Sequence, residues 1–248
     1  MRSFPHNPDE TALAAKLAES LDKFASVEDD APGKKAEAYH EGAKVACGLA
    51  SLAYAFEHPP SEVKTYAVAA TRLAGRASAC DEAIDPHTYQ RYLALAVWTG
   101  DSNLRGSLAG FDRARFTDER VNADDVVYRC AEAFAALVKK RGQAAAESAE
   151  AGLKRIARGL VSVGVGNAAA PILRMAEAMG KGDLYALRAA VGERSNYHTR
   201  FAASASGKDS PESLIDLLGL AFIRVAAEDY GLAVDSKSVY LPTGMLLA

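Results

Sequence analysis

Side chains able to do chemistry are present in this chain, but their spacing does not assemble them into a known device. The five histidines, His6, His40, His58, His87 and His198, include no pair four residues apart, the spacing that puts two imidazoles on one helix face for a metal. The three cysteines, Cys47, Cys80 and Cys130, are odd in number and far apart, whereas zinc sites draw on paired ligands and disulfide frameworks on even counts. They read as reduced thiols in a helical interior, with no activating neighbour in sequence. Adjacent carboxylates occur at Asp29-Asp30, Asp118-Glu119 and Asp124-Asp125. Glycoside hydrolysis needs two carboxyl groups facing each other across a cleft, while neighbours at a helix start answer the positive end of its dipole.

The stretch Val163-Gly164-Val165-Gly166-Asn167 has glycines spaced as in a phosphate-cradling loop. It lacks the Lys-Ser/Thr ending of a P-loop and the third glycine of a dinucleotide fingerprint, and no predicted strand precedes it, so it reads as a turn between helices. A Gly-x-Ser-x-Gly nucleophile elbow is absent. Arg105, Arg113, Arg115 and Arg120 gather positive charge, but Asp112, Asp118 and Glu119 interleave with them, the pattern of a solvated loop with local ion pairs rather than an RNA-binding patch. Trp98, the sole tryptophan, lies on an apolar stripe and reads as core. We therefore expect no enzyme, no cofactor and no metal, and a chain that acts by binding.

The elements that must position these residues are helices. Apolar residues recur at helical spacing almost throughout, and period-two alternation is nearly absent. A first helix follows Asn7-Pro8 and carries Leu13, Leu17, Leu21 and Phe24; a second spans about 34–57 and stops at His58-Pro59-Pro60, where Pro60 opens a third. Asp85-Pro86 caps a fourth, which breaks at Gly100-Asp101 before a short helix over 102–108. Further helices are expected over about 124–140, 144–158, 167–179 and 184–193. A last one is expected from Ser210-Pro211 to Gly231, followed by an extended apolar tail over 232–248. Gly100-Asp101 and Gly182-Asp183 share one turn grammar, suited to antiparallel helix pairs. The expected architecture is a single all-α domain over 1–248, an array of antiparallel helix pairs with roughly nine to eleven helices.

Composition fits this. The chain of 248 residues is 49% hydrophobic and 25% charged, and at that length it can remove roughly three quarters of its unfolded surface from water. The 29 basic residues against 32 acidic ones leave a net charge of -3, without the basic excess that phosphate neutralisation asks of a nucleic-acid binder. Residues 1–20 have no continuous apolar run of the signal-peptide kind, and no window approaches a membrane span. We expect a cytoplasmic protein bound to neither membrane nor nucleic acid.

The C-terminal third is the most distinctive part. It reads ALRAAVGERSNYHTRF over 186–201, then a long Leu/Ala helix ending Asp229-Tyr230-Gly231, then Ser238-Val239-Tyr240-Leu241-Pro242. Upstream, YQRYLALAVWTGD over 89–101 is a helix leading into an aspartate turn. Together these segments resemble the immunity-protein family numbered forty-nine among bacterial polymorphic-toxin systems. The matching positions are Trp98, Asp101, Tyr197, Asp229, Gly231, Ser238, Tyr240, Leu241 and Pro242, with structural roles expected. On physical grounds Val239, Tyr240 and Leu241 are apolar and Pro242 stiffens them, so this segment should dock onto neighbouring helices.

The resemblance implies an antitoxin that binds a cognate toxin domain and blocks its active site or substrate access. The acidic residues Asp29, Asp30, Asp118, Glu119, Asp124 and Asp125 are the candidate contacts if that toxin is a basic nuclease. The alternatives are a helical-repeat-like scaffold or a small-ligand-binding regulator using a groove, and an all-α enzyme of a new kind.

Overall fold

Pro, Asp, Ser and Gly mark where the helices of this chain begin and end. The computed structural model describes residues 1–5, 8–28, 36–80, 84–112, 125–208 and 210–245. In it α1 spans Glu10–Glu28, α2 Ala36–Ala55, α3 Pro60–Ala79, α4 Pro86–Thr99, α5 Ser102–Leu108, α6 Asp125–Val138, α7 Gly142–Ala157, α8 Val163–Lys181, α9 Leu184–Ala202 and α10 Leu217–Tyr230. Short 3₁₀ turns cover Pro211–Ser213 and Thr243–Met245, and no strand occurs among the described residues. The Asp85 carboxylate accepts hydrogen bonds from the N–H groups of His87 (2.8 Å) and Thr88 (3.1 Å), and Pro86 fills the first turn of α4. These are donors a helix start leaves unpaired.

The two Gly-Asp turns share one geometry. Gly100 and Gly182 sit at φ +76° and +68°, a left-handed conformation that costs glycine nothing. In each, the following aspartate caps the next helix: Asp101 accepts from Leu104 N–H and Asp183 from Ala186 N–H, both at 2.9 Å.

Three boundaries differ from the sequence expectation. The glycine stretch at 163–166 is the first turn of α8, capped by Ser162 Oγ on Val165 N–H at 3.3 Å; glycine costs least where the backbone groups need no intrahelical partner. Helix α9, expected over about 184–193, runs on to Ala202 and takes in Tyr197 and His198. Ser210-Pro211 opens only a 3₁₀ turn, and α10 starts later, capped by Asp216.

Neighbours in sequence pack as neighbours in space: α2 on α3, α6 on α7, α7 on α8 and α8 on α9, while α10 lies across α4, α8 and α6. Close approach comes from small residues. At the α7–α8 crossing a Cβ on Gly180 would run into the Gly142 carbonyl oxygen. The core is one contiguous cluster reaching from Phe4 to Leu241, with Tyr92, Phe134, Phe222, Leu93 and Leu137 fully buried and the Phe134 and Phe222 rings stacked 4.7 Å apart.

Residues 231–238 have no regular secondary structure, and Ala233, Asp235 and Lys237 in this stretch are exposed. Val234, Tyr240 and Leu241 are buried. The Tyr54 hydroxyl donates to the Val239 carbonyl at 2.6 Å, and the Tyr240 ring lies 5.5 Å from that of Phe4. Arg2 also closes on the end of α2, its backbone N–H donating to Ala55 O (2.8 Å) and its Nε to Tyr54 O (2.9 Å).

Candidate functional site

Three helices present one stripe each to a common cleft of about 460 Å³. Gln90, Ala94 and Trp98 follow one another at four-residue steps on α4, and Gly164, Ala168 and Ile172 do the same on α8. Arg194, Tyr197, His198 and Phe201 lie at i, i+3, i+4 and i+7 on α9, a single helix face. Ala94 and Ala168 sit midway along their stripes, where a Leu or Phe would fill the space. Ile215, Leu217 and Leu218 at the start of α10 complete the apolar wall.

A buried ion pair floors the cleft. Arg194 Nε donates to Asp216 Oδ2 at 2.6 Å and Arg194 Nη2 to Asp216 Oδ1 at 2.7 Å, with Asp216 only 1% exposed. This two-pronged geometry matches guanidinium to carboxylate. Asp216 also caps α10 by accepting from Gly219 N–H at 3.1 Å, and its own backbone N–H donates to the Tyr240 carbonyl at 2.8 Å. Burial pushes the Asp216 carboxyl up, but the Arg194 charge and these hydrogen bonds outweigh it and hold the group below the ordinary carboxylate range. Beside it His198 Nε2 donates to Ser213 O at 2.8 Å, and the imidazole packs 5.1 Å from the Tyr240 ring. At the rim, Arg91 of α4 pairs with Glu212 of the Pro211–Ser213 turn at 3.1 Å.

Both thiols that line the cleft are held protonated. Burial pushes Cys47 up to about 11 and Cys130 up to about 12, so neither supplies a thiolate at neutral pH. Among the described residues no group of three or more His, Cys, Asp or Glu side chains is placed to hold a metal ion. The arrangement offers apolar walls and hydrogen-bonding groups, which is equipment for binding.

The residues singled out in the sequence mostly hold helices together. Trp98 is 7% exposed and its carbonyl accepts from Arg224 Nη1 at 2.6 Å, while its side chain borders the cleft. Asp101 is the α5 cap. Tyr197 lies under the Arg194 guanidinium, 5.3 Å from ring centre to Cζ, and lines the cleft. Asp229 pairs with Arg105 and with Lys140 (3.3 Å), and Gly231 ends α10 at φ +65°. Ser238 Oγ accepts from Tyr240 N–H at 3.3 Å. Leu241 packs where a Cβ on Gly219 would stand, and the Pro242 carbonyl accepts from Met245 N–H at 2.9 Å. Of these, only Trp98 and Tyr197 come together at the cleft.

Arg105, expected among local loop ion pairs, reaches instead to Glu228 and Asp229 on α10, because the first turn of α5 points it across at the end of that helix. Of the acidic candidates, Asp29, Asp30, Asp118, Glu119 and Asp124 lie outside the described residues. Asp125 heads α6 and pairs with Arg129 (3.4 Å) and Arg155 (3.7 Å). Sequence reasoning missed Arg194, Asp216 and Gln90. A stripe of Gln, Ala and Trp at four-residue steps was the available signal for the α4 wall, but an ion pair spanning 22 residues leaves no periodic trace.

A model of the family described as immunity protein 49 matches residues 31–245. That span takes in α2 through α10 and both 3₁₀ turns, and bears out the resemblance carried by the C-terminal third. No curated protein and no solved structure matches the chain. Among the described residues no helix is long and apolar enough to cross a membrane.

Proposed function

Since this chain belongs to the immunity protein 49 family, we propose that it binds one cognate bacterial toxin domain and blocks that toxin's active site or its access to substrate. The observation that carries this reading is the family match over residues 31–245, which is nearly the whole helical array rather than one motif. The cleft agrees with it, because its thiols are protonated and its buried carboxylate is already paired, so the chain acts by occupying surface. The reading places it in a polymorphic-toxin system serving competition between bacteria. It also places the chain in the cytoplasm, where its three unpaired cysteines stay reduced.

Specific complexes rest on a few anchors within an interface of about 1,600 Å². A basic toxin such as a nuclease would be met by the acidic residues Asp29, Asp30, Asp118, Glu119, Asp124 and Asp125, by charge complementarity. Co-expression with the toxin domain encoded beside this chain tests the reading: cells should survive with the chain and die without it. Death despite abundant folded chain would overturn it, and charge reversal at the acidic positions should weaken protection if they form the contact.

A further inference from the structure

The cleft carries a second reading that stands apart from toxin binding. We propose that it is a binding site for a small, flat, uncharged and largely apolar molecule with one N–H or O–H donor, an indole-like or phenol-like compound whose donor is accepted by Gln90 Oε1. Gln90 is 5% exposed, its Nε2 donates to the Pro86 carbonyl at 3.1 Å, and among the described residues none donates to its Oε1. The residue lines the cleft and this oxygen is not sealed off in the interior, so it is open to a ligand there. A ligand that fills the cleft and excludes water from this acceptor without supplying a donor forfeits about 1–3 kcal/mol, so a ligand that carries a donor there is favoured over one that lacks it.

The other polar groups narrow the ligand to a neutral one. Arg194 is taken by Asp216, Arg91 by Glu212, and His198 Nε2 by the Ser213 carbonyl. Cys47 and Cys130 are uncharged thiols because burial pushes both up. Arg194, Asp216, Arg91 and Glu212 thus each have an opposite partner within the protein, which favours a neutral ligand over a charged one. Size narrows it further. A volume near 460 Å³ falls in the range of about 300–1,000 Å³ common to small-molecule sites. Trp98, Ile172, Leu217 and Leu218 line the cleft and offer apolar contact to a ring system, and the Arg91–Glu212 pair ties α4 to the Pro211–Ser213 turn at the rim, which suits a compact molecule over a chain segment.

Indole and 1-methylindole, which differ in the single donor, are the probes. Calorimetric titration of the full chain should show indole binding and 1-methylindole binding about tenfold more weakly. The one indole N–H signal of the protein, from Trp98, should move in ¹⁵N–¹H spectra as unlabelled indole is added. Gln90→Met should abolish the discrimination between the two probes. Ala168→Phe, a plug at a partly exposed position of α8, should lose both, and it carries the test alone should Gln90→Met fail to fold by circular dichroism. No indole binding up to its solubility limit, equal affinity for the two probes, or unchanged indole binding in a folded Ala168→Phe variant would each overturn the proposal.

Discussion

Arg194 and Asp216 are joined by two parallel hydrogen bonds of 2.6 and 2.7 Å, and through Asp216 the pair reaches both the first turn of α10 and the carbonyl of Tyr240. Arg194→Met leaves a buried carboxylate without its cation, and should cost about 3 kcal/mol or more in denaturant unfolding. The double variant Arg194→Met with Asp216→Leu should cost less than the two single changes summed, since neither charge is then stranded. Additive losses would show that the two side chains do not act as a unit.

The same pair sets an acid dependence. The folded-state carboxyl of Asp216 lies below its ordinary value, so its stabilisation is complete above the unfolded aspartate value of about 3.9 and is lost as pH falls through the lower, folded value. The stability gap between the wild-type chain and Arg194→Met should therefore be largest near neutral pH, on the order of kilocalories, and narrow as acid protonates the carboxyl, first in the variant, where burial raises it, and last in the wild-type chain. A gap that does not narrow as pH falls from 7 to 3 would contradict the assignment.

Tyr240 and Leu241 are fully buried although no helix holds them. Tyr240→Ala should cost about 3–5 kcal/mol, which for a chain of this size lowers the melting temperature by roughly 2–4 °C per kcal/mol. Truncation after Asp235 should cost at least as much. An unchanged melting temperature in the truncated chain would rule out docking of this segment.

The helix caps differ in what they hold. Asp101→Ala and Asp183→Ala each remove one cap bond of 2.9 Å and should cost about 1 kcal/mol. Asp85→Ala removes two backbone contacts and a bond from Thr88 Oγ1 at 2.5 Å, and should cost more than either, about 2 kcal/mol. Chemical denaturation of the three variants side by side gives the ranking.

Thiol chemistry should separate the cysteines. With Cys130 up near 12 and Cys47 near 11 through burial, a disulfide reagent at pH 8 should modify Cys80 first and release the other two only on unfolding. Three thiols titrating at one fast rate would mean that the cleft wall opens readily.

Most of the helices were legible because their signals are local. Proline at a first turn, aspartate before a helix and glycine after it each act within four residues, and Asp85-Pro86 and Gly100-Asp101 behave as their chemistry dictates. The failures have the same root. Ser210-Pro211 carries a genuine start signal, but it starts a 3₁₀ turn, since the backbone at Asp216 is claimed by Tyr240. The glycines at 164 and 166 look like a loop to any local rule, yet first-turn positions tolerate them. The cleft was less legible still: Arg194 earns its position from Asp216 at the start of α10, Gln90 bonds within its own helix at Pro86, and no spacing rule connects α4 with α9.

The convergence of residues 2–4 and 239–240 on the end of α2 has a consequence for time rather than for shape. The bond from Tyr54 to Val239 closes a loop of 185 residues, and such a closure forms only after the local helix pairs have lowered its entropic cost. Interactions that form late act mainly on the opening rate. Tyr54→Phe should leave refolding nearly unchanged and speed unfolding several-fold in stopped-flow measurements, so this single hydroxyl governs how long a folded molecule persists.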